Sequence, residues 1–545
     1  MNPLKKLAGQ TIIYGLSSVV GRLLNYLLVP LYTRYFLPEE YGIVTELYAY
    51  VAFLVVILTY GIETAFFRYS QKTTSKNTVY STALISLITT ATLFLVIMFL
   101  SASSIANWLQ YPNNVEYIQF FALIIALDAV SAISFAKLRK DNNATRFALV
   151  RLVNIFINIG LNLFFIIYCP YALEKGLPSE SFVNSIYTQG YGVGYIFIAN
   201  LISSLVTFLM LLPEMIKSVW IFDRFLWKKM IIYAFPLLIA GLAGITNETI
   251  DRILLKKVEH PIKIYESYSK KIQVKINNKD KYIPIDDELI FDEIKLKGDQ
   301  FNNLSVKTKS FIINETKKSE LGLYGAFYKL SILIVLFIQT FRFAAEPFFF
   351  AHEKEKNSRK TYANVMKYFV IITAFIFLVV TMLYDFIILF LGENYHDERG
   401  FLTVSILLAA NLFLGVYYNL SVWYKLSDKT KYGAYLAIFG AIITLTLNFT
   451  LIPVIGFLGS AWATLVCYLC MTTISYFIGR RHYRIPYPIK RIVLYLAVVA
   501  TLFFTSVYFD IDIIFKIIYI ILFIIIVFVL EKPKKAVISN PKLFD

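Results

Sequence analysis

Fourteen apolar runs, each about 20 residues long, limit what this chain can fold into. They lie at about 10–33, 43–67, 79–103, 116–136, 147–169, 190–212, 230–255, 322–349, 364–391, 401–424, 433–453, 457–478, 491–509 and 513–530. A run of that length crosses a hydrocarbon layer as an α-helix. Composition agrees. The chain is 58% hydrophobic and 17% aromatic, with mean hydropathy +0.63. Charged residues make up 16%, against roughly 25% in a soluble domain. The reading is an all-α polytopic membrane protein. The first run follows Lys5 and Lys6 but is too long for a signal-peptide core and has no clear cleavage site, so it stays as a helix.

Lys and Arg placement orients the spans. The N-terminus, every second connection and the C-terminus are basic: "RYSQKTTSK", "KLRKDNNATR", "KSVWIFDRFLWKK", "KEKNSRKTYANVMK", "KLSDKTK", "RRHYRIPYPIKR" and "KPKKAVISNPK". The other short connections hold only Arg34, Lys175 and Arg399. This alternation supports fourteen helices with both termini cytoplasmic. It also accounts for the net charge of +17 as a topology signal. A nucleic-acid binder would need a soluble basic face with aromatic platforms, and the sequence has none.

One polar stretch, about 256–320, falls on the non-cytoplasmic side. It alternates like strands in "IQVKINN", "DEIKLKG" and "SVKTKSFIIN", with a turn expected at "NNKDK". The expectation is a small β-rich exoplasmic insert; a disordered loop is the alternative.

Several chemistries are disfavoured. Three cysteines exclude a disulfide framework. Cys467 and Cys470 sit inside the apolar "ATLVCYLCMTTISYF", where a redox thiolate is out of place, so they read as packing residues. The four histidines are far apart and give no metal-ligand spacing. Asp286, Asp287 and Glu288 in the polar stretch lack a partner His or Arg, and "GYGVGY" has the wrong spacing for a nucleotide loop. No cofactor is expected, and the chain does not read as an enzyme.

Charge inside the spans is the remaining signal, because it is costly there and by default marks a pathway. Arg22 and Asn25 lie near mid-depth in "SSVVGRLLNYLLVP". The second span has Glu46 and Glu63, the fourth Asp128, and the fifth Asn154, Asn158 and Asn162 on one helical face. The seventh ends in "AGITNETIDRILLKK", with Asn247, Glu248, Asp251 and Arg252. The eighth, "KLSILIVLFIQTFRFAAEP", has Lys329, Gln339, Arg342 and Glu346, the last three on one face. Glu248–Arg252 and Arg342–Glu346 also fit self-neutralising structural pairs, and burial alone does not choose between the two readings. Arg22 has no acid within one turn of its helix, which favours a ligand-facing role. A short echo runs through the chain. "TIIYGL" (11–16) is answered by "MIIYAF" (230–235), and "EYGIVTELY" (40–48) by "LGLYGAFY" (321–328), as in a duplicated bundle.

The stretches "SSVVGRLLNYLLVPLYTRYFLPEEYG", "NETIDRILL" and "LGLYGAFYKLSILIVLFIQTFRFAAEPFFF" resemble the Wzx-type polysaccharide-biosynthesis (O-antigen and capsule) flippases of the multidrug/oligosaccharidyl-lipid/polysaccharide (MOP) exporter superfamily. The resemblance runs over nearly the whole chain in helix order. It implies two six-helix lobes around a central cavity plus two C-terminal helices. The divisions are 1–229 (first lobe), 230–255 (helix seven), 256–320 (insert), 321–480 (rest of the second lobe) and 481–545 (last two helices and tail). It implies alternating access that moves an undecaprenyl-diphosphate-linked oligosaccharide between the leaflets of a bacterial inner membrane, with polymerase or chain-length proteins as possible partners. Arg22, Asn25, Arg252, Gln339 and Arg342 become candidate substrate-binding residues. Glu63, Glu248, Asp251 and Glu346 become candidates for coupling to protons or sodium. A lipid II flippase or a cation-coupled drug antiporter of the same superfamily is the alternative, and a membrane polysaccharide polymerase a more distant one. The insert departs from the family, in which a short connector is usual.

Overall fold

The computed structural model describes residues 20–21, 23–72, 76–259, 273–276, 279–282, 306–351, 355, 357–427 and 429–532. All long elements are helices. The first apolar run ends in α1 (Leu28–Tyr35). Then follow α2 (Pro38–Thr59, continuing as Ile62–Lys72), α3 (Lys76–Leu100), α4 (Val115–Lys140), α5 (Ala144–Leu163, extended to Lys175), α6 (Gly194–Ile216) and α7 (Arg224–Lys257). After the insert come α8 (Val306–Leu330, continuing as Ile332–Ala351), α9 (Ser358–Met382), α10 (Arg399–Leu420, continuing to Leu426), α11 (Lys431–Ile455), α12 (Phe457–His482), α13 (Ile489–Tyr508) and α14 (Ile513–Glu531). Among the described residues twelve helices are long and apolar enough to cross a membrane, and α8 taken across its bend makes thirteen. The first run, 10–33, lies mostly outside the described residues.

Three spans are interrupted for visible reasons. α2 breaks at Tyr60 and Gly61, which adopt φ of 34° and 72°; the left-handed step at Gly61 is one that glycine takes without steric cost. α8 bends by 47° around Ser331, whose hydroxyl donates back to the Tyr328 carbonyl at 2.8 Å, a bond that competes with the helix ladder. α5 carries a π-turn at Phe164–Tyr168.

The insert corrects one expectation. "SVKTKSFIIN" forms the start of α8, not a strand. The alternation there is overridden because the segment runs on into an apolar helix, and Lys318 pairs with Glu315 at i, i+3 and 2.6 Å. The expected hairpin is present: β1 (Gln273–Ile276) pairs antiparallel with β2 (Lys279–Tyr282), with Ile276 opposite Lys279. The strand expected at "DEIKLKG" lies outside the described residues.

Two lobes emerge from the packing. In the first, α4 packs on α3 and α6, and α6 on α5. In the second, α12 packs on α10 and α11, and α11 on α7. α13 and α14 lie against α9. Glu531 of α14 pairs with Lys367 of α9 and accepts from Tyr495 at 2.7 Å, while Lys516 meets Asp385 at 3.1 Å near the other end of α14. The asparagine stripe of α5 is an interhelical zipper. Asn154 donates to the Ser203 carbonyl (3.0 Å) and the Thr207 hydroxyl (2.9 Å), and Asn162 accepts from Tyr32 at 3.0 Å. Asn154→Ala should therefore lower stability to thermal unfolding by about 1 kcal/mol. Cys467 is buried against the Gly440 carbonyl at 3.4 Å, in the packing role its apolar setting indicated.

Candidate functional site

The beginning of α2, the end of α7 and the beginning of α8 share one face of the bundle, here the insert face. The opposite face carries the Lys- and Arg-rich connections, here the basic face. At the insert face the echoed motifs meet each other. A Cβ on Gly42 would lie 1.9 Å from the Lys318 carbonyl oxygen, and one on Gly322 would lie 1.8 Å from that of Pro38. The two helices thus touch backbone to backbone, which only glycine permits. Further bonds stitch the same face. The Gly392 N–H donates to the Thr33 hydroxyl at 3.1 Å, and Tyr395 donates to the Phe36 carbonyl at 3.1 Å. Lys256 of α7 donates to Glu46 of α2 at 2.7 Å and to the Leu109 carbonyl at 2.7 Å, with both charged side chains buried. Arg399 forks onto Glu320 at 2.8 and 2.9 Å and lies 4.0 Å above the Phe457 ring.

Beyond their breaks the same two helices separate. The second half of α2 packs on α3, α4 and α7, and the second half of α8 packs on α9 and α10. The two helices are joined at the insert face and, beyond their breaks, pack on separate partners; the region between those halves is called the cleft. Its charged residues come from the end of α7 and the middle of α8. Glu248 is exposed at mid-helix, and Arg252 and Lys329 are half-buried beside it. Each lies in the electrostatic field of the other two. The Arg252 guanidinium sits 4.2 Å over the Tyr328 ring. No ion pair within 4.0 Å joins Glu248 to Arg252 among the described residues, and Glu248 acts on Arg252 through the field alone. The aromatic face orients the guanidinium. With Asp251, which also acts on Arg252, the cluster holds two cations and two carboxylates.

The other predicted residues separate by role. Asp251 is buried and accepts from Tyr324 at 2.5 Å, so it clasps α7 to α8 instead of facing the cleft. Glu63 pairs with Arg139 at 2.7 Å, inside the first lobe and away from Arg252. Arg342 lies 4.0 Å over the Tyr418 ring, further along α8, with Gln339 half-buried one turn before it. Asn25 is exposed near the start of α1. Arg22 and the side chain of Glu346 lie outside the described residues. Sequence reasoning noticed Lys329 without assigning it a role, and it missed Lys256. Tyr324 and Tyr328, spaced i, i+4 beside Lys329, are the signal that would have marked this face of α8.

Residues 31–188, from within α1 to just past α5, match a family model described as polysaccharide biosynthesis protein. No curated protein sequence matches the chain. Solved structures do. An inward-facing multidrug resistance MATE family transporter of the MOP superfamily aligns with a TM-score of 0.58 at 13% identity, over 86% of this chain and 94% of its own. The lipid II flippase MurJ, in an inward closed conformation, aligns with a TM-score of 0.59 at 14% identity, over 95% of this chain and 98% of its own. The chain shares the fold of these two transporters.

Proposed function

We propose that the chain is a flippase that moves an undecaprenyl-diphosphate-linked oligosaccharide from the cytoplasmic to the periplasmic leaflet during O-antigen or capsule biosynthesis. The observations that carry the reading are Arg252 and Lys329 set side by side where α7 meets α8, the tight α2–α8 crossing at the insert face, and a MOP fold whose first lobe matches a polysaccharide-biosynthesis model. Basic connections belong on the cytoplasmic side. On that orientation both termini are cytoplasmic, the membrane is the bacterial inner membrane, and the α2–α8 crossing is periplasmic.

The chemistry fits an amphiphile of this kind. A diphosphate and its sugars cannot enter hydrocarbon without hydrated polar partners. Arg252, held over Tyr328, offers paired N–H donors to a phosphate, and Lys329 adds a point charge. Arg22 and Asn25 of the first span, and Gln339 and Arg342 of α8, would extend this polar surface along the path. The polyprenyl tail stays in or beside the bilayer. Glu248, exposed in the cleft beside both cations, is the carboxylate best placed to couple transport to a proton or sodium ion. Return of the lobes to an outward-open state requires the α2–α8 crossing to part.

Arg252→Ala at matched expression in the native host should cut surface polymer about tenfold or more, the loss expected for one charge-assisted bidentate contact. Intact oligosaccharide-lipid should accumulate on the cytoplasmic side. Unchanged polymer removes Arg252 from the path. A chain deletion that leaves flipping intact and alters polymer length replaces this reading with a polymerase. The likeness to MurJ over nearly the full chain supports lipid II as a second cargo. Rescue of a MurJ-depleted strain would establish it, and failure to rescue with loss of surface polymer would exclude it.

A further inference from the structure

We infer that the basic-face ends of α11 and α12 form a seat for the phosphate of an anionic phospholipid, separate from the central cleft. A cavity of about 390 Å³ opens there, lined by Tyr432, Ile474, Phe477, Ile478, Arg481 and His482. Its polar rim is built and oriented. His482 stacks on Trp423 with ring centroids 5.6 Å apart and planes inclined by 21°. Its Nδ1 lies 3.0 Å from the Ile478 carbonyl, a bond that fixes Nδ1 as the donor and turns Nε2 toward the Tyr432 hydroxyl, 3.4 Å away. Arg481 is exposed beside them and makes no ion pair among the described residues.

Charge around the seat is of one sign. Lys429 precedes α11, Lys431 opens it, and Arg480, Arg484 and Lys490 flank Arg481, all exposed. The segment from Gly479 to Ile492 contains no acid. Basic side chains at a helix C-terminus and at a membrane-proximal loop also satisfy the helix dipole and topology. Those roles do not require a preformed cavity with a clamped imidazole and a hydroxyl at its rim. An apolar track leaves the cavity. Phe477 of α12 and Tyr435, Phe439 and Ile442 of α11 are all exposed, the last three spaced i, i+4, i+7 and so on one face. A free anion has no use for that track. A phospholipid would put its phosphate against Arg481 and lay its acyl chains along Phe477, Tyr435 and Phe439. Juxtamembrane basic residues attract anionic headgroups in this manner.

Native mass spectrometry of the purified full-length protein tests the seat, with phosphatidylglycerol and phosphatidylcholine of matched chains offered at equal concentration. The wild type should retain one phosphatidylglycerol in preference to phosphatidylcholine. Arg481→Gln should weaken that preference about fivefold. Arg484→Gln, an equal charge loss three residues away, should leave it unchanged. An equal loss in R481Q and R484Q would mean a diffuse basic surface and overturn the seat. Displacement of the retained lipid by 10-fold excess inorganic phosphate would mark a free-anion site and overturn the lipid assignment. Both readouts are independent of oligosaccharide transport.

Discussion

Lys256→Met is expected to destabilise the protein by about 3–5 kcal/mol, the cost of stranding one member of a buried ion pair. Lys256 and Glu46 have side-chain exposures of 1% and 0%. Glu46 Oε2 receives both the ammonium at 2.7 Å and the Tyr111 hydroxyl at 2.5 Å, while Oε1 has no hydrogen-bond partner. The ammonium also lies 4.1 Å over the Tyr111 ring. Burial, then the Glu46 carboxylate, pushes the Tyr111 hydroxyl well above its ordinary range, so it stays a donor. Without Lys256 that single phenol cannot replace the lost solvation of a buried carboxylate. Glu46→Gln in the Lys256→Met background removes the orphaned charge and should recover most of the loss. Unfolding of the detergent-solubilised protein measures both variants. An unchanged midpoint in K256M would show that the pair contributes nothing, and no recovery in the double variant would place the cost in packing. Because Glu46 is on α2 and Lys256 on α7, the same substitution should also loosen the insert face.

That pair shows where sequence reasoning stops. Lys256 sits in the last turn of a span, where a basic residue reads as a topology marker, and nothing in the chain order places it against Glu46, 210 residues away. The helices themselves were legible, because a 20-residue apolar run in a bilayer has one stable backbone solution. The start of α8 was not, since "SVKTKSFIIN" satisfies a two-residue alternation and only its continuation into an apolar helix decides the matter. The cleft charges were legible as a set and not individually. Glu248 and Asp251 are three residues apart, so a modest rotation of α7 decides which faces the cleft. Tyr324 settles it by drawing Asp251 into the α7–α8 contact. The asparagine stripe looked equally like a path and a zipper, and its partners Ser203, Thr207 and Tyr32 lie on helices that periodicity does not pair with α5.

Gly322→Ala should favour opening of the insert face and sharply reduce transport. The added Cβ would stand 1.8 Å from the Pro38 oxygen, 2.7 Å from its carbonyl carbon and 3.0 Å from the Gly42 nitrogen. All three obstacles are backbone, so no rotamer change relieves the clash and the helices must separate. Overpacking against movable side chains costs about 1–3 kcal/mol, and a rigid obstacle belongs at the upper end. A bias of about 3 kcal/mol against the closed face changes the ratio of closed to open states by about 100-fold. A cysteine at Tyr328, behind the crossing, reports the change: a membrane-impermeant maleimide added on the insert side should label Y328C slowly and G322A/Y328C rapidly. Gly160→Ala is the control, since a Cβ there meets nothing within 4 Å and alanine is the better helix former by up to about 1 kcal/mol. It should leave labelling unchanged. Gly42→Ala, whose Cβ would meet the Lys318 oxygen at 1.9 Å, should act like G322A because both glycines serve one crossing. If both glycine variants label slowly and transport normally, the boundary of the closed state lies elsewhere. If they label rapidly while K256M labels as wild type does, the backbone crossing and not the ion pair holds the face shut.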